Sequence, residues 1–260
     1  MQVGIIDGSL NLPWERLFDA AQKLGFAGVE LGVGKDYDAT KLWSAAGRRE
    51  LAELSKRSGV AIASICLHSY WNYSFADPSA IAQKTATKIA TDAASIAAEL
   101  GAKNILIPLT YAKEITPDQA TRRWIDRMKS VAPAAEKAGV VFALENVGQP
   151  HAKSAPQIVA IVDAIGSPAV KVYYDPGNAT SGGLDPLEEI PLLGERIAQV
   201  HIKEVGADLL GQGKVKLKSV IGALRTISYD GWLIFETNAT ADPLKAQEAN
   251  LVYLDGLLAD

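Results

Sequence analysis

An alternation limits what this chain can fold into: eight short apolar runs, separated by longer segments of helical periodicity. The runs lie at residues 3–7, 28–33, 61–67, 104–109, 140–146, 170–175, 198–204 and 232–237. Most are apolar at every position rather than at every second one, the pattern of strands covered on both faces. Between them, Trp124, Met128, Val131 and Ala135 fall on one helical stripe. Ile81, Thr85, Ile89, Ile96 and Leu100 mark a second stripe, and Leu244, Leu251, Leu254 and Leu258 a third. Pro13 and Pro243 stand where helices begin, and Gly25, Gly59, Gly101 and Gly139 where helices end. Right-handed crossovers make the sheet parallel. An open doubly wound sheet is the rival, but Asp7-Gly8-Ser9-Leu10 is no dinucleotide fingerprint. At 260 residues the chain matches the ~250 typical of an eight-fold βα barrel. The expectation is α/β class: one (β/α)8 barrel spanning residues 1–260 as a single domain.

A barrel of this kind carries its chemistry at the C-terminal ends of its strands. There the last four runs carry Glu145, Asp175, His201 and Glu236, each about one βα unit from the next. Ionisable groups inside apolar strands are costly unless paired or bound to a metal. Three converging carboxylates would repel one another, and a divalent cation removes that repulsion. Three oxygens and one imidazole suit Mn²⁺ first, with Mg²⁺, Co²⁺ or Zn²⁺ as alternatives.

Several motifs surround these residues: Gly25-Phe26-Ala27-Gly28-Val29-Glu30-Leu31, Leu144-Glu145-Asn146, Asp175-Pro176-Gly177-Asn178, His201-Ile202-Lys203-Glu204, Gly211-Gln212-Gly213, and Tyr229 through Glu236. With them the chain resembles, over essentially its whole length, the xylose-isomerase-like barrels of sugar (and sugar phosphate) isomerases and epimerases. The resemblance implies that Glu145, Asp175, His201 and Glu236 hold one metal ion. It also implies that Glu145 and Glu236 form a proton-transfer pair. The expected reaction is isomerisation or epimerisation of a sugar through an enediolate. A lyase of the inosose dehydratase type and a non-catalytic sugar-binding barrel are the alternatives. A homo-oligomer is implied by the resemblance alone.

Five further residues are expected to touch substrate. His68 and Trp71 stand in an aromatic loop with Tyr70 and Tyr73. Glu30 ends the second run, where it either orients a ligand histidine, touches substrate or forms a structural ion pair. Asn178 stands where several sugar epimerases of this type carry a histidine. Lys203, two residues after His201, points to the same side of its strand, where it either contacts a substrate oxygen or pairs with a carboxylate. Glu204 points the other way or ends the strand as a rim charge. The glycine-rich loop at residues 206–214 contains Lys214 and could receive a phosphate, but it has no arginine, so an unphosphorylated ketose or polyol is favoured. His151 is expected to be solvent-exposed, and the charged stretch 47–57 to be an outer helix face.

The net charge of −4 argues against nucleic acid or an anionic membrane as partner, and a three-zinc nuclease needs more than the three histidines present. No apolar run reaches membrane-spanning length. One cysteine, Cys66, rules out an intrachain disulfide, and its apolar surroundings predict a buried, inert thiol. That cysteine usage and an N-terminus lacking a signal-peptide pattern point to the cytoplasm.

Overall fold

The computed structural model describes residues 1–238 and 240–259. Eight parallel strands close into a barrel in sequence order, with β8 paired back to β1. The strands are β1 (Gln2–Ile6), β2 (Gly28–Gly32), β3 (Ala61–Cys66), β4 (Asn104–Pro108), β5 (Val141–Glu145), β6 (Val170–Tyr174), β7 (Ile197–Ile202) and β8 (Trp232–Phe235). Helices α1 (Asp7–Leu10) and α2 (Trp14–Leu24) follow β1, and α3 (Ala45–Ser58) follows β2. Helices α4 (Ala80–Leu100), α5 (Pro117–Ala138) and α6 (Ala155–Ile165) follow β3, β4 and β5. Helices α7 (Pro176–Ser181) and α8 (Pro186–Leu193) both follow β6, while α9 (Leu217–Thr226) and α10 (Pro243–Ala259) follow β7 and β8.

Local chemistry explains where the helices start and stop. Thr116 and Gln119 form a reciprocal capping box at the start of α5, with Pro117 in the first turn. Ser44 and Ser79 accept from backbone N–H groups at the starts of α3 and α4. All four predicted stop glycines sit in the left-handed conformation at helix ends.

The strands are covered on both sides, as their composition required. Outward side chains such as Val29, Ile105, Phe142, Val172 and Leu233 meet Phe18, Trp124, Val131 and Ile158 from the helix ring in the main core. Inward side chains Ile6, Ala63, Cys66, Leu106, Ala143, Tyr173 and Ile234 form a smaller core inside the barrel. Fully burying one large apolar side chain is worth ~1.5–3 kcal/mol, so the outer layer dominates stability.

Three expectations need correction. Asp7 does not end β1 but opens α1, where its carboxylate accepts from the Gly8 N–H. Ile81 is 79% exposed, and Leu244 47%, because each sits in the first turn of its helix before that helix lies on the barrel. The buried stripe of α4 keeps the expected Ile89 and Ile96 and otherwise runs through Gln83, Ala86, Ala90, Ala93, Ala94 and Ala97. Among the described residues, no helix is long and apolar enough to cross a membrane.

Candidate functional site

The four strand-end residues do converge. Glu145 ends β5, while Asp175 and Glu236 lie one residue past β6 and β8 and His201 lies within β7. One potential ligand atom from each falls within 4.8 Å of all the others. Asp175 and His201 are fully buried, Glu145 nearly so, and Glu236 partly. His201 Nδ1 stands 3.2 Å from Glu145 Oε1 and 3.4 Å from Glu236 Oε2, between the two glutamates.

The Asp-Pro-Gly-Asn turn builds its corner of the site. Asp175 caps α7, accepting from the Asn178 N–H at 3.0 Å. Asn146 locks Asp175 from the neighbouring strand: its Oδ1 accepts from the Asp175 N–H at 2.7 Å and its Nδ2 donates to the Asp175 carbonyl at 2.8 Å. Gly177 makes room for Lys203, since a Cβ there would lie 2.5 Å from Lys203 Cγ. Lys203 uses that room to place Nζ 2.6 Å from Asp175 Oδ2 and 2.7 Å from Glu236 Oε2. Asn178 Nδ2 reaches Glu145 Oε1 at 3.5 Å.

The electrostatics of this cluster favour a cation. Burial, with repulsion from Glu236 and Asp175, pushes the Glu145 carboxyl up to about 7, against the pull of His201. Burial likewise raises Asp175, only partly offset by Lys203. Burial opposes the charge on His201, but Glu236, Glu30 and Glu145 outweigh it and hold that imidazole well above its ordinary value. Burial also works against Glu236, yet His201 and Lys203 keep it below the usual range. Counting Glu30, four carboxylates face two basic side chains, a deficit that one divalent ion fills. Asp175 Oδ2 is buried without a hydrogen bond in regular geometry and is met by the Lys203 ammonium at 2.6 Å, so this oxygen faces positive charge in the cluster. The donor set therefore fits a divalent metal.

The other expected contacts divide. Glu30 does not face a substrate space: its Oε1 sits 2.9 Å from His201 Nε2, deep in the barrel. Lys203 is part of the carboxylate cluster. His68 is partly buried, lies against Cys66 Sγ at 3.5 Å, and is near enough to Glu236 to help keep that carboxylate ionised. Trp71 is 54% exposed at the rim. Its neighbour Tyr70 is a core residue instead, stacked on Trp124 with its hydroxyl donating to the Ala86 carbonyl. Cys66 is buried, and burial with nearby carboxylates pushes its thiol up.

His151 overturns its expectation. It is only 3% exposed and stacked on Tyr111, with ring centroids 5.8 Å apart. The loop after β5 folds inward there, and burial lowers the imidazole to about 4. Neither ring nitrogen has a hydrogen-bond partner.

The loop at residues 206–214 is already filled by a carboxylate. Glu204 Oε1 accepts from the N–H groups of Val205 and Val215 at 2.9 and 2.8 Å, and Oε2 accepts from Gly211 at 3.0 Å. A Cβ on Gly213 would lie 2.5 Å from Glu204 Oε1, so this glycine serves the turn. Glu204 is thus a loop organiser, not a plain rim charge.

Sequence reasoning missed Ser64, Tyr173 and Gln199, which surround Glu30. Their signal was the two-residue period of a strand: Tyr173 stands two before Asp175, and Gln199 two before His201. It also missed Asp7, whose Oδ2 accepts from Trp14 Nε1 at 2.6 Å and from the Gly32 N–H at 3.1 Å at the rim beside His68.

Known proteins resemble this chain in sequence and in fold. The putative L-ribulose-5-phosphate 3-epimerase SgbU of Escherichia coli strain K12 is 27% identical over 251 residues, covering 90% of this chain and 88% of the relative. A solved L-ribulose 3-epimerase superposes with a TM-score of 0.86 at 18% identity, covering 99% of this chain and 94% of that one. A D-psicose 3-epimerase determined in the presence of D-fructose gives 0.85 at 18% identity, covering all of both chains. These structural likenesses carry the barrel fold. The profile for "Xylose isomerase-like TIM barrel" matches residues 18–255, most of the sequence. On that match the chain belongs to the xylose isomerase-like TIM barrel family.

Proposed function

We propose that this protein is a divalent-metal-dependent sugar epimerase acting on a ketose at the carbon beside its carbonyl. The observation that carries the reading is the convergence of Glu145, Asp175, His201 and Glu236, with His201 Nδ1 between the two glutamates. The similarity to SgbU of Escherichia coli, a putative L-ribulose-5-phosphate 3-epimerase, supports the reaction type.

In this reading the four residues hold one ion, with Mn²⁺ the best match to three carboxylate oxygens and one imidazole nitrogen. When bound, the ion supplies Lewis-acid stabilisation of negative charge on the substrate's carbonyl and hydroxyl oxygens. Glu145 and Glu236 do the proton work. One removes the proton from the carbon beside the carbonyl, and the other returns a proton to the opposite face of the resulting enediolate. Return on the opposite face inverts the centre, which is epimerisation; return to the neighbouring carbon is isomerisation. Asp175 and His201 remain plain ligands. Asn178 steadies Glu145, and Lys203 steadies Asp175 and Glu236. His68 and Trp71, at the rim, contact the sugar hydroxyls. Glu204 fills the glycine-rich loop, which supports a substrate whose phosphate, if any, is held elsewhere.

The test is a panel of ketoses, their phosphates and inosose, incubated in D₂O with Mn²⁺-loaded protein and followed by NMR. Deuterium at C3 with inversion supports the reading. Loss of water to give an unsaturated product would assign a lyase instead. Binding with no exchange on any member of the panel would assign a sugar-binding barrel.

A further inference from the structure

Beneath His201 lies a set of polar side chains that proton transfer does not use. Inner layers of such barrels are ordinarily filled by branched aliphatic residues. Here Glu30, Ser64, Gln199 and Tyr173 are all buried inside the barrel, and Asn104 is buried below them. Buried polar groups are costly unless every one is satisfied.

These groups satisfy one another in a single direction. Asn104 Nδ2 donates to Gln199 Oε1 at 2.7 Å, which turns the Gln199 amide nitrogen upward. Gln199 Nε2 then donates to Ser64 Oγ at 2.6 Å and to the Tyr173 hydroxyl at 3.1 Å. Each hydroxyl has one proton to give, and each gives it to Glu30 Oε2, at 2.5 and 3.0 Å. With Oε2 filled by donors, Glu30 presents Oε1 to His201 Nε2 at 2.9 Å, purely as an acceptor. The imidazole must therefore carry hydrogen on Nε2, which leaves Nδ1 as the nitrogen facing Glu145 and Glu236. The Tyr173 ring, 4.4 Å from the His201 ring between centroids, restrains the same imidazole sideways.

We propose that Asn104, Gln199, Ser64 and Tyr173 act through Glu30 as positioning residues that fix the tautomer and orientation of His201 for metal binding through Nδ1. The inference rests on His201 being a metal ligand, as proposed above. It also assigns Glu30 to the histidine and not to substrate. Partners of this kind usually change metal affinity ~10–100-fold when removed.

The experiment compares full-length wild type with the double variant Ser64→Ala/Tyr173→Phe and the control Tyr174→Phe. Tyr174 is the adjacent buried tyrosine, but its hydroxyl donates to Glu189 at 3.0 Å. Deleting it costs a similar hydrogen bond without touching Glu30. Mn²⁺ affinity is measured by calorimetry. The ring nitrogens of the three histidines are followed by ¹⁵N NMR with Zn²⁺ as the diamagnetic probe. The expected result is a Kd for Mn²⁺ raised about tenfold or more in the double variant, with a shifted His201 Nε2–H signal. Tyr174→Phe should bind as wild type does. If the double variant does not fold, Tyr173→Phe alone carries the test, and the His201 signal should still move. Unchanged affinity and an unmoved signal, with wild type binding Mn²⁺, overturn this inference alone. No Mn²⁺ binding by wild type overturns the proposed function and this inference together.

Discussion

Replacing Glu145 by Gln removes the least compensated charge in the cluster. Glu145 is nearly buried, and its carboxyl is raised from 4.5 to about 7. Between those values the folded state holds this proton more tightly than the unfolded chain does. Stability therefore falls as pH rises through that window, and the loss is complete above it. The shift corresponds to about 3 kcal/mol at pH 8 and under about 1 kcal/mol at pH 5. Gln keeps an oxygen facing His201 Nδ1, 3.2 Å away in the wild type, so the packing loss is small. In chelator at pH 8, Glu145→Gln should thus be more stable than wild type by up to about 3 kcal/mol, with the gap nearly closed at pH 5. Mn²⁺ at about a thousand times the wild-type Kd should reverse the order, because it stabilises wild type by about 4.1 kcal/mol, more than that gap, while the variant offers a neutral amide oxygen in place of a carboxylate ligand and gains much less. Urea unfolding at both pH values, with and without Mn²⁺, reads all four numbers. A variant no more stable than wild type at pH 8 in chelator would refute the claim that this carboxylate is under-compensated.

Three other outcomes follow from the geometry. Mn²⁺ affinity should rise with pH, most steeply below 7, with about one proton or more released per ion at pH 6, because Glu145 and His201 Nδ1 must lose protons to bind; calorimetry in buffers of different ionisation enthalpy measures this, and a flat profile from pH 6 to 8 contradicts it. Gly177→Ala puts a Cβ 2.5 Å from Lys203 Cγ, so turnover should fall and stability drop by ~1–3 kcal/mol, whereas Gly222→Ala, which meets nothing within 4 Å, should leave turnover intact. His151→Phe keeps the ring on Tyr111 and deletes two buried unpartnered nitrogens, so its thermal melt should match or exceed wild type by about 1 kcal/mol; a clear drop would show that those nitrogens have partners in solution.

The barrel and its metal-type cluster were legible because they rest on strong local signals. Continuous apolar runs separated by helical stripes leave few alternatives, and a charge at the end of such a run stands out against its neighbours. Residues inside the barrel were harder to read. Strands buried on both faces hide the alternation that separates inward from outward positions, so Tyr173 and Tyr174 look alike in sequence. One turns to Glu30 and the other to Glu189. The register between β2 and β3 shifts at Val29/Glu30, and between β6 and β7 at Val172/Tyr173, which sequence does not announce. Lys203 read correctly by period as sharing the side of His201, but its partners depend on the space beside Gly177. His151 failed for a different reason: loop polarity says little about whether a loop folds inward.

The most direct test of the central claim is hydrogen exchange at carbon. Mn²⁺-loaded protein in D₂O should place deuterium at C3 of at least one ketose, and chelation or Glu236→Gln should abolish it while Glu236→Gln remains folded. Exchange that persists at the wild-type rate in metal-loaded Glu236→Gln, or that needs no divalent ion, would contradict the account.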